Sequence, residues 1–191
     1  MPKVIALLLA AGRGTRFGSD KRLARLADGR TLLAASLARA QQVFDEVHLL
    51  LRPEDDLQAL GLPPHCRVIR CAEAEQGMGR SLAWGIQTLA DSDAEAIAVL
   101  LGDMPWIAAA SLRQLCVQAT AERILYPLYQ GQRGHPVLFG RSFWSDLQQL
   151  SGDEGARGLL QANPMACYGI ELDDPGVVQD VDLPQALLAR H

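Results

Sequence analysis

The stretch Leu9-Ala10-Ala11-Gly12-Arg13-Gly14-Thr15-Arg16-Phe17-Gly18-Ser19-Asp20-Lys21 gathers glycines and cations directly behind an apolar run. Glycines let a backbone approach phosphate closely and turn its N–H groups toward it, while Arg16 and Lys21 add full positive charge. The stretch reads as a triphosphate cradle. The plainer alternative is a chain reversal with Arg16 and Lys21 as solvated charges. Two common phosphate loops do not fit, because a dinucleotide fingerprint begun at Gly12 needs glycine where Phe17 stands, and a Walker loop needs Gly-Lys-Ser/Thr.

Asp103 is the second candidate. It follows the apolar run 96–101 and Gly102, so it stands at a strand end where a carboxylate can coordinate Mg²⁺. A turn-forming Asp before Pro105 is an equal reading of the same residues. No Ser/His/Asp or Cys/His arrangement suggests a covalent nucleophile. Cys66, Cys71, Cys116 and Cys167 form no CxxC pair and have no zinc-type spacing to His48, His65, His135 or His191, so they read as reduced, mostly buried thiols. A net charge of −4 offers no overall attraction to nucleic acid or an anionic membrane, so an anionic ligand has to be held by local donors. The opening Met1-Pro2-Lys3-Val4-Ile5 leads into an apolar run too short to span a membrane and without a cleavage signal, which predicts a cytoplasmic protein.

The elements that must position these residues alternate. Apolar runs at 4–9, 47–51, 68–71 and 96–101 read as buried strands. Helical periodicity at 31–42, 81–89 and 111–119 follows plausible Thr or Ser caps. Later, 124–128, 136–139, 167–172 and 177–181 read as strands, one or two of them antiparallel, and 142–150 and 154–162 as helices. Neither repeat nor linker is visible, so residues 1–191 read as one domain, an α/β fold with a mostly parallel sheet. Ligands of such sheets sit beyond the carboxyl ends of the strands, where the segments after Leu9 and Leu101 lie. The stretches 52–56 and 91–95 read as solvated surface, and Trp84, Trp106 and Trp144 as core or rim packing.

Leu9 to Lys21 resembles the LAAGxxxRxGxxK signature of the MobA-like nucleotidyltransferases, in particular the molybdenum cofactor cytidylyltransferases. The resemblance continues in order at Gly77-Met78-Gly79-Arg80-Ser81-Leu82, Leu101-Gly102-Asp103-Met104-Pro105, Gly134-His135-Pro136-Val137-Leu138-Phe139, Gly152-Asp153-Glu154-Gly155-Ala156-Arg157 and Asp180-Val181-Asp182-Leu183-Pro184. It implies a Rossmann-like three-layer sandwich of the nucleotide-diphospho-sugar transferase kind. The implied reaction is Mg²⁺-dependent transfer of CMP from CTP to the phosphate of molybdenum cofactor, with release of pyrophosphate. Asp103 then becomes a metal ligand, with Asp182 as the second carboxylate and Asp180 its alternative. Arg16, Lys21 and Asp103 form the catalytic set. The attacking phosphate oxygen is already anionic, so positioning and charge neutralisation suffice without a general base.

The resemblance also places Leu9, Ala10, Ala11, Gly12, Arg13 and Gly14 against the nucleotide, with Ser81 at the base, although Ser81 could equally cap its helix. Related guanylyltransferases carry glycine where Ala11 stands, and the extra methyl favours the smaller pyrimidine. His135 and Arg157 fall on the pterin side; a structural hydrogen bond for His135 and an ion pair with Asp153 for Arg157 are the bland readings. A molybdoenzyme that receives the product is an implied partner. Gly14 departs from the usual Ser, and Leu183 from a common Thr. Gly12-Arg13-Gly14-Thr15-Arg16 also matches the GxGTR loop of sugar nucleotidyltransferases, which, with a GTP-using enzyme and a non-catalytic cofactor carrier, are the rival readings.

Overall fold

The structure is a computed structural model that describes residues 2–12 and 20–181. The strands are β1 (Val4–Leu9), β2 (Val47–Leu51), β3 (Arg67–Arg70), β4 (Ala96–Leu101), β5 (Ile124–Tyr129), β6 (Gln132–Arg133), β7 (Val137–Gly140) and β8 (Cys167–Glu171). They form one sheet in the order β3-β2-β1-β4-β7-β5-β6, with β8 on β5. β1 to β4 are mutually parallel, as are β5 and β8. β7 opposes both β4 and β5, and β6 opposes β5, so every strand except β6 and β7 shares one direction. The sheet is therefore mostly parallel with two antiparallel strands, as the sequence predicted.

Helices cover both faces. α1 (Leu32–Gln41) and α3 (Ala109–Val117) pack on one side, where Ala6 and Leu8 of β1 meet Leu33, Leu37 and Leu112. α2 (Met78–Thr88), α4 (Trp144–Leu147) and α5 (Arg157–Ala162) pack on the other, where Ile5 and Leu7 meet Leu82, Ile86, Trp144 and Leu160. Burial on both faces is why β1 and β4 are unbroken apolar runs. Thr31 caps α1 as its position implied, its Oγ1 accepting the Ala34 N–H at 3.1 Å. The four cysteines are free thiols, and burial pushes Cys116 up to about 11. Among the described residues no helix is long and apolar enough to cross a membrane.

Several local predictions fail for long-range reasons. Ser81 and Ser111 are not caps. α2 starts at Met78 behind Gly77, whose φ of 105° suits glycine, and the Gly79 N–H donates to the Gly152 carbonyl at 2.8 Å. At α3, the carboxylate of Asp174 accepts the Ala108 N–H at 2.8 Å and the Ser111 hydroxyl at 2.7 Å, supplying from afar the cap that Ala108 lacks. The expected strand 177–181 is instead a 3₁₀ turn, Pro175–Val178, followed by chain whose Val181 N–H donates to the Asp103 carbonyl at 3.1 Å. The helix expected at 142–150 is shorter, with a 3₁₀ turn Arg141–Phe143 before α4, and that expected at 154–162 begins at Arg157.

Candidate active site

Register aligns the ends of the first four strands. Leu9 of β1 lies beside Leu101 of β4, and Leu51 of β2 beside Arg70 of β3, so all four strands discharge their following residues on one edge. The Gly102 N–H donates to the Leu9 carbonyl at 3.0 Å, and a Cβ there would come within 2.9 Å of Leu33 Cδ1 and 3.2 Å of the Leu9 oxygen. Glycine lets the two strand ends approach this closely, and the approach delivers Asp103 to the end of β1.

Lys21 reaches Asp103 from the other side. Asp20 caps a 3₁₀ turn, Lys21–Leu23, and the Lys21 ammonium pairs with Asp103 Oδ2, the two side chains being 20% and 16% exposed. Asp103 Oδ1 is buried and has no hydrogen-bond partner among the described residues. An anionic oxygen left so is costly unless a ligand completes it, and a carboxylate oxygen suits a hard divalent cation. Asp103 thus fits such an ion. Asp182, Arg13, Gly14 and Arg16 lie outside the described residues, and within those described no three His, Cys, Asp or Glu side chains form a metal-binding group.

His135 belongs to this same centre. Its N–H donates to the Val177 carbonyl at 2.7 Å, while its Nδ1 is buried without a partner among the described residues. Burial pushes the imidazole below its ordinary value, against the opposite pull of Asp103 and Asp180. The segment that ends at Val181 therefore brings Asp180 to the surroundings of Asp103 and His135. Arg157 is exposed, opens the six-residue α5, and makes no ion pair with Asp153 among the described residues.

On the other flank lies a cleft of about 150 Å³ lined by Ala11, Arg52, Pro53, Glu54, Cys71, Ala72, Ala74 and Glu75. These residues follow the ends of β1, β2 and β3. Ser81 is buried inside α2, close to the Cys71 thiol, so it backs this wall. Ala10 and Ala11 are buried, and Leu9 is half-buried. At Gly12 no atom of the described residues lies within 4 Å of an added Cβ, so neighbouring packing does not demand glycine there.

Sequence reasoning missed the residues that hold this turn. Arg22 is buried, and its guanidinium bonds the Ala10 carbonyl at 2.8 Å, Asp55 at 2.6 and 2.8 Å, and Asp20 at 2.6 and 2.9 Å. All five of its N–H groups are thereby used. The stretch 52–56 is accordingly not simply solvated surface: the Asp55 side chain is 7% exposed and also accepts the Arg52 N–H at 2.9 Å. Arg52 in turn donates from Nε to the Ala11 carbonyl at 2.9 Å and from Nη2 to the Gly12 carbonyl. Hydrogen bonds from Arg22 hold the Asp20 carboxyl below its ordinary range; at Asp55 burial acts upward, but Arg22 and the Arg52 N–H outweigh it. A charge behind a strand end was the only local signal.

Comparison with known proteins agrees with this architecture. The MobA-like NTP transferase domain matches residues 6–167. The chain is 30% identical to the purine catabolism protein PucB of Bacillus subtilis (strain 168), over 96% of this chain and 94% of that protein. It is 28% identical to nicotine blue oxidoreductase of Paenarthrobacter nicotinovorans, over 95% and 93%. Among solved structures, Rv0371c from Mycobacterium tuberculosis H37Rv superposes with a TM-score of 0.84 at 29% identity, covering 97% of this chain and 95% of that one. Its complex with manganese gives 0.75 at 27% identity, covering 90% and 88%.

Proposed function

Because the chain belongs to the MobA-like NTP transferase family, we propose that residues 1–191 form one cytoplasmic, Mg²⁺-dependent nucleotidyltransferase domain that transfers CMP from CTP to the phosphate of molybdenum cofactor. The observation that carries this reading is the meeting of Lys21 with Asp103, one of whose oxygens has no partner among the described residues, beside the end of β1. A manganese complex of the related Rv0371c supports a divalent ion at such a centre.

In this reading Asp103 and Asp182, or Asp180 in place of Asp182, hold the cation, which when bound neutralises phosphate charge. Lys21 leaves Asp103 for the triphosphate and, with Arg16, stabilises negative charge on the leaving pyrophosphate. The turn from Leu9 to Gly14 receives the nucleotide, and the cleft beside Ala11, backed by Ser81, receives the base. His135 contacts the acceptor near its phosphate, close to Asp103 rather than out at the pterin ring. Arg157, exposed on α5, serves the pterin side. The Ala11 methyl narrows the cleft in favour of a pyrimidine. The product passes to a molybdoenzyme.

Labelled CTP and GTP, each incubated with Mg²⁺ and either purified molybdenum cofactor or a sugar phosphate, test the reading. CMP transfer with pyrophosphate release is expected. A preference for GTP overturns the choice of base, transfer only to a sugar phosphate overturns the acceptor, and tight cofactor binding without pyrophosphate release favours a carrier.

A further inference from the structure

Three successive carbonyls after β1 are held by guanidinium groups: that of Ala10 by Arg22, and those of Ala11 and Gly12 by Arg52. The only cis peptide bond among the described residues is His135-Pro136. In a planar trans peptide the N–H points opposite to the carbonyl. Turning the Ala10 and Ala11 oxygens onto Arg22 and Arg52 therefore turns the N–H groups of Ala11 and Gly12 the other way. Neither N–H donates to a described residue, unlike the Ala10 N–H, which donates to the Leu50 carbonyl at 3.0 Å.

We infer that Arg22 and Arg52 are positioning residues that fix the turn before ligand arrives, aiming the N–H groups of Ala11 and Gly12 at an oxygen of the bound nucleotide. Arg22 acts through the backbone it holds, and so does Arg52, which also lines the cleft beside Ala11. Asp20 and Asp55 complete the clamp by fixing Arg22, so two guanidinium groups and two carboxylates form a neutral unit. Two N–H groups set in advance spare the nucleotide the ordering cost of the turn, so the clamp shows itself in affinity more than in turnover.

This inference rests on the nucleotidyltransferase reading. Arg22 is buried among carboxylates, and replacing it endangers folding; half-buried Arg52 carries the test. In calorimetric titration of CTP with Mg²⁺ into the whole protein, Arg52→Met is expected to weaken binding about tenfold. Arg52→Lys, which can reach one carbonyl but not two, should give an intermediate loss. In steady state, KM for CTP rises while kcat stays within about threefold. Titration of tripolyphosphate and of cytidine assigns the acceptor oxygen to phosphate or base according to which loses affinity. A fall in kcat with unchanged KM, or unchanged CTP affinity in both variants, overturns the clamp while leaving the function intact. A wild-type protein that binds no CTP overturns the reading beneath it as well.

Discussion

Two stretches of the same sheet edge are finished differently. Beyond β1 and β2, the carbonyls of Ala10, Ala11 and Gly12 and the five N–H groups of Arg22 have partners inside the chain. Beyond β4, Asp103 Oδ1 and His135 Nδ1 are buried without partners among the described residues. The carbonyls and guanidinium of the first region are satisfied within the chain, with only the Ala11 and Gly12 N–H groups left without a described partner, whereas in the second region side-chain atoms are buried without one among the described residues. In the proposed reading, a receiver for the nucleotide held at residues 10–12 beside an unfinished centre for metal and acceptor is the arrangement in which binding energy can be kept for the reacting groups.

Substitutions should separate the two regions by what they damage. In the unfinished region Asp103→Asn should lower kcat about a thousandfold, read by pyrophosphate release, with melting temperature nearly unchanged. An active Asp103→Asn protein would erase the contrast. Lys21→Ala should lower kcat about a hundredfold and weaken CTP binding much less; equal loss in binding with unchanged turnover would move Lys21 from chemistry to anchoring.

In the finished region the damage should appear as stability. Asp55→Asn leaves buried Arg22 short of charge and should lower the melting temperature by about 10 °C at pH 7. The Asp20 and Asp55 carboxyls lie below their ordinary value in the folded chain. The unfolded chain therefore binds more protons once pH drops below about 4, and the stabilisation present above that pH is lost as pH falls through the depressed folded values. Thermal melts across that range should show a steeper acid loss in wild type than in Asp55→Asn; identical slopes would deny the clamp its ionic character. The smallest effect belongs to Ala11→Gly, which should shift CTP over GTP preference by about tenfold toward GTP, measured as the ratio of kcat/KM values.

The same contrast explains what the sequence disclosed. β1 and β4 were readable to the residue because burial on both faces writes an unbroken apolar run, and Thr31 was readable because its cap bond lies three residues away. Ser111, Asp55 and the segment 177–181 were misread because their partners are remote: Asp174 at α3, Arg22 under the turn, and Asp103 against Val181. No local window contains such pairs. Asp103 itself is legible in sequence only as a choice between turn and ligand, and the burial of Oδ1 without a partner among the described residues, a product of tertiary packing, is what favours the ligand reading proposed above. Arg16, a cation among glycines, and Asp182, a match to the family pattern, are candidates from sequence alone and lie outside the described residues.

The most direct measurement is a manganese anomalous map from crystals grown with a non-hydrolysable CTP analogue. The peak should lie within roughly 2.5 Å of Asp103 Oδ1 and of a phosphate oxygen, with Lys21 turned from Asp103 to the triphosphate. A nucleotide bound without metal at Asp103, or with Lys21 still paired to it, would contradict the account.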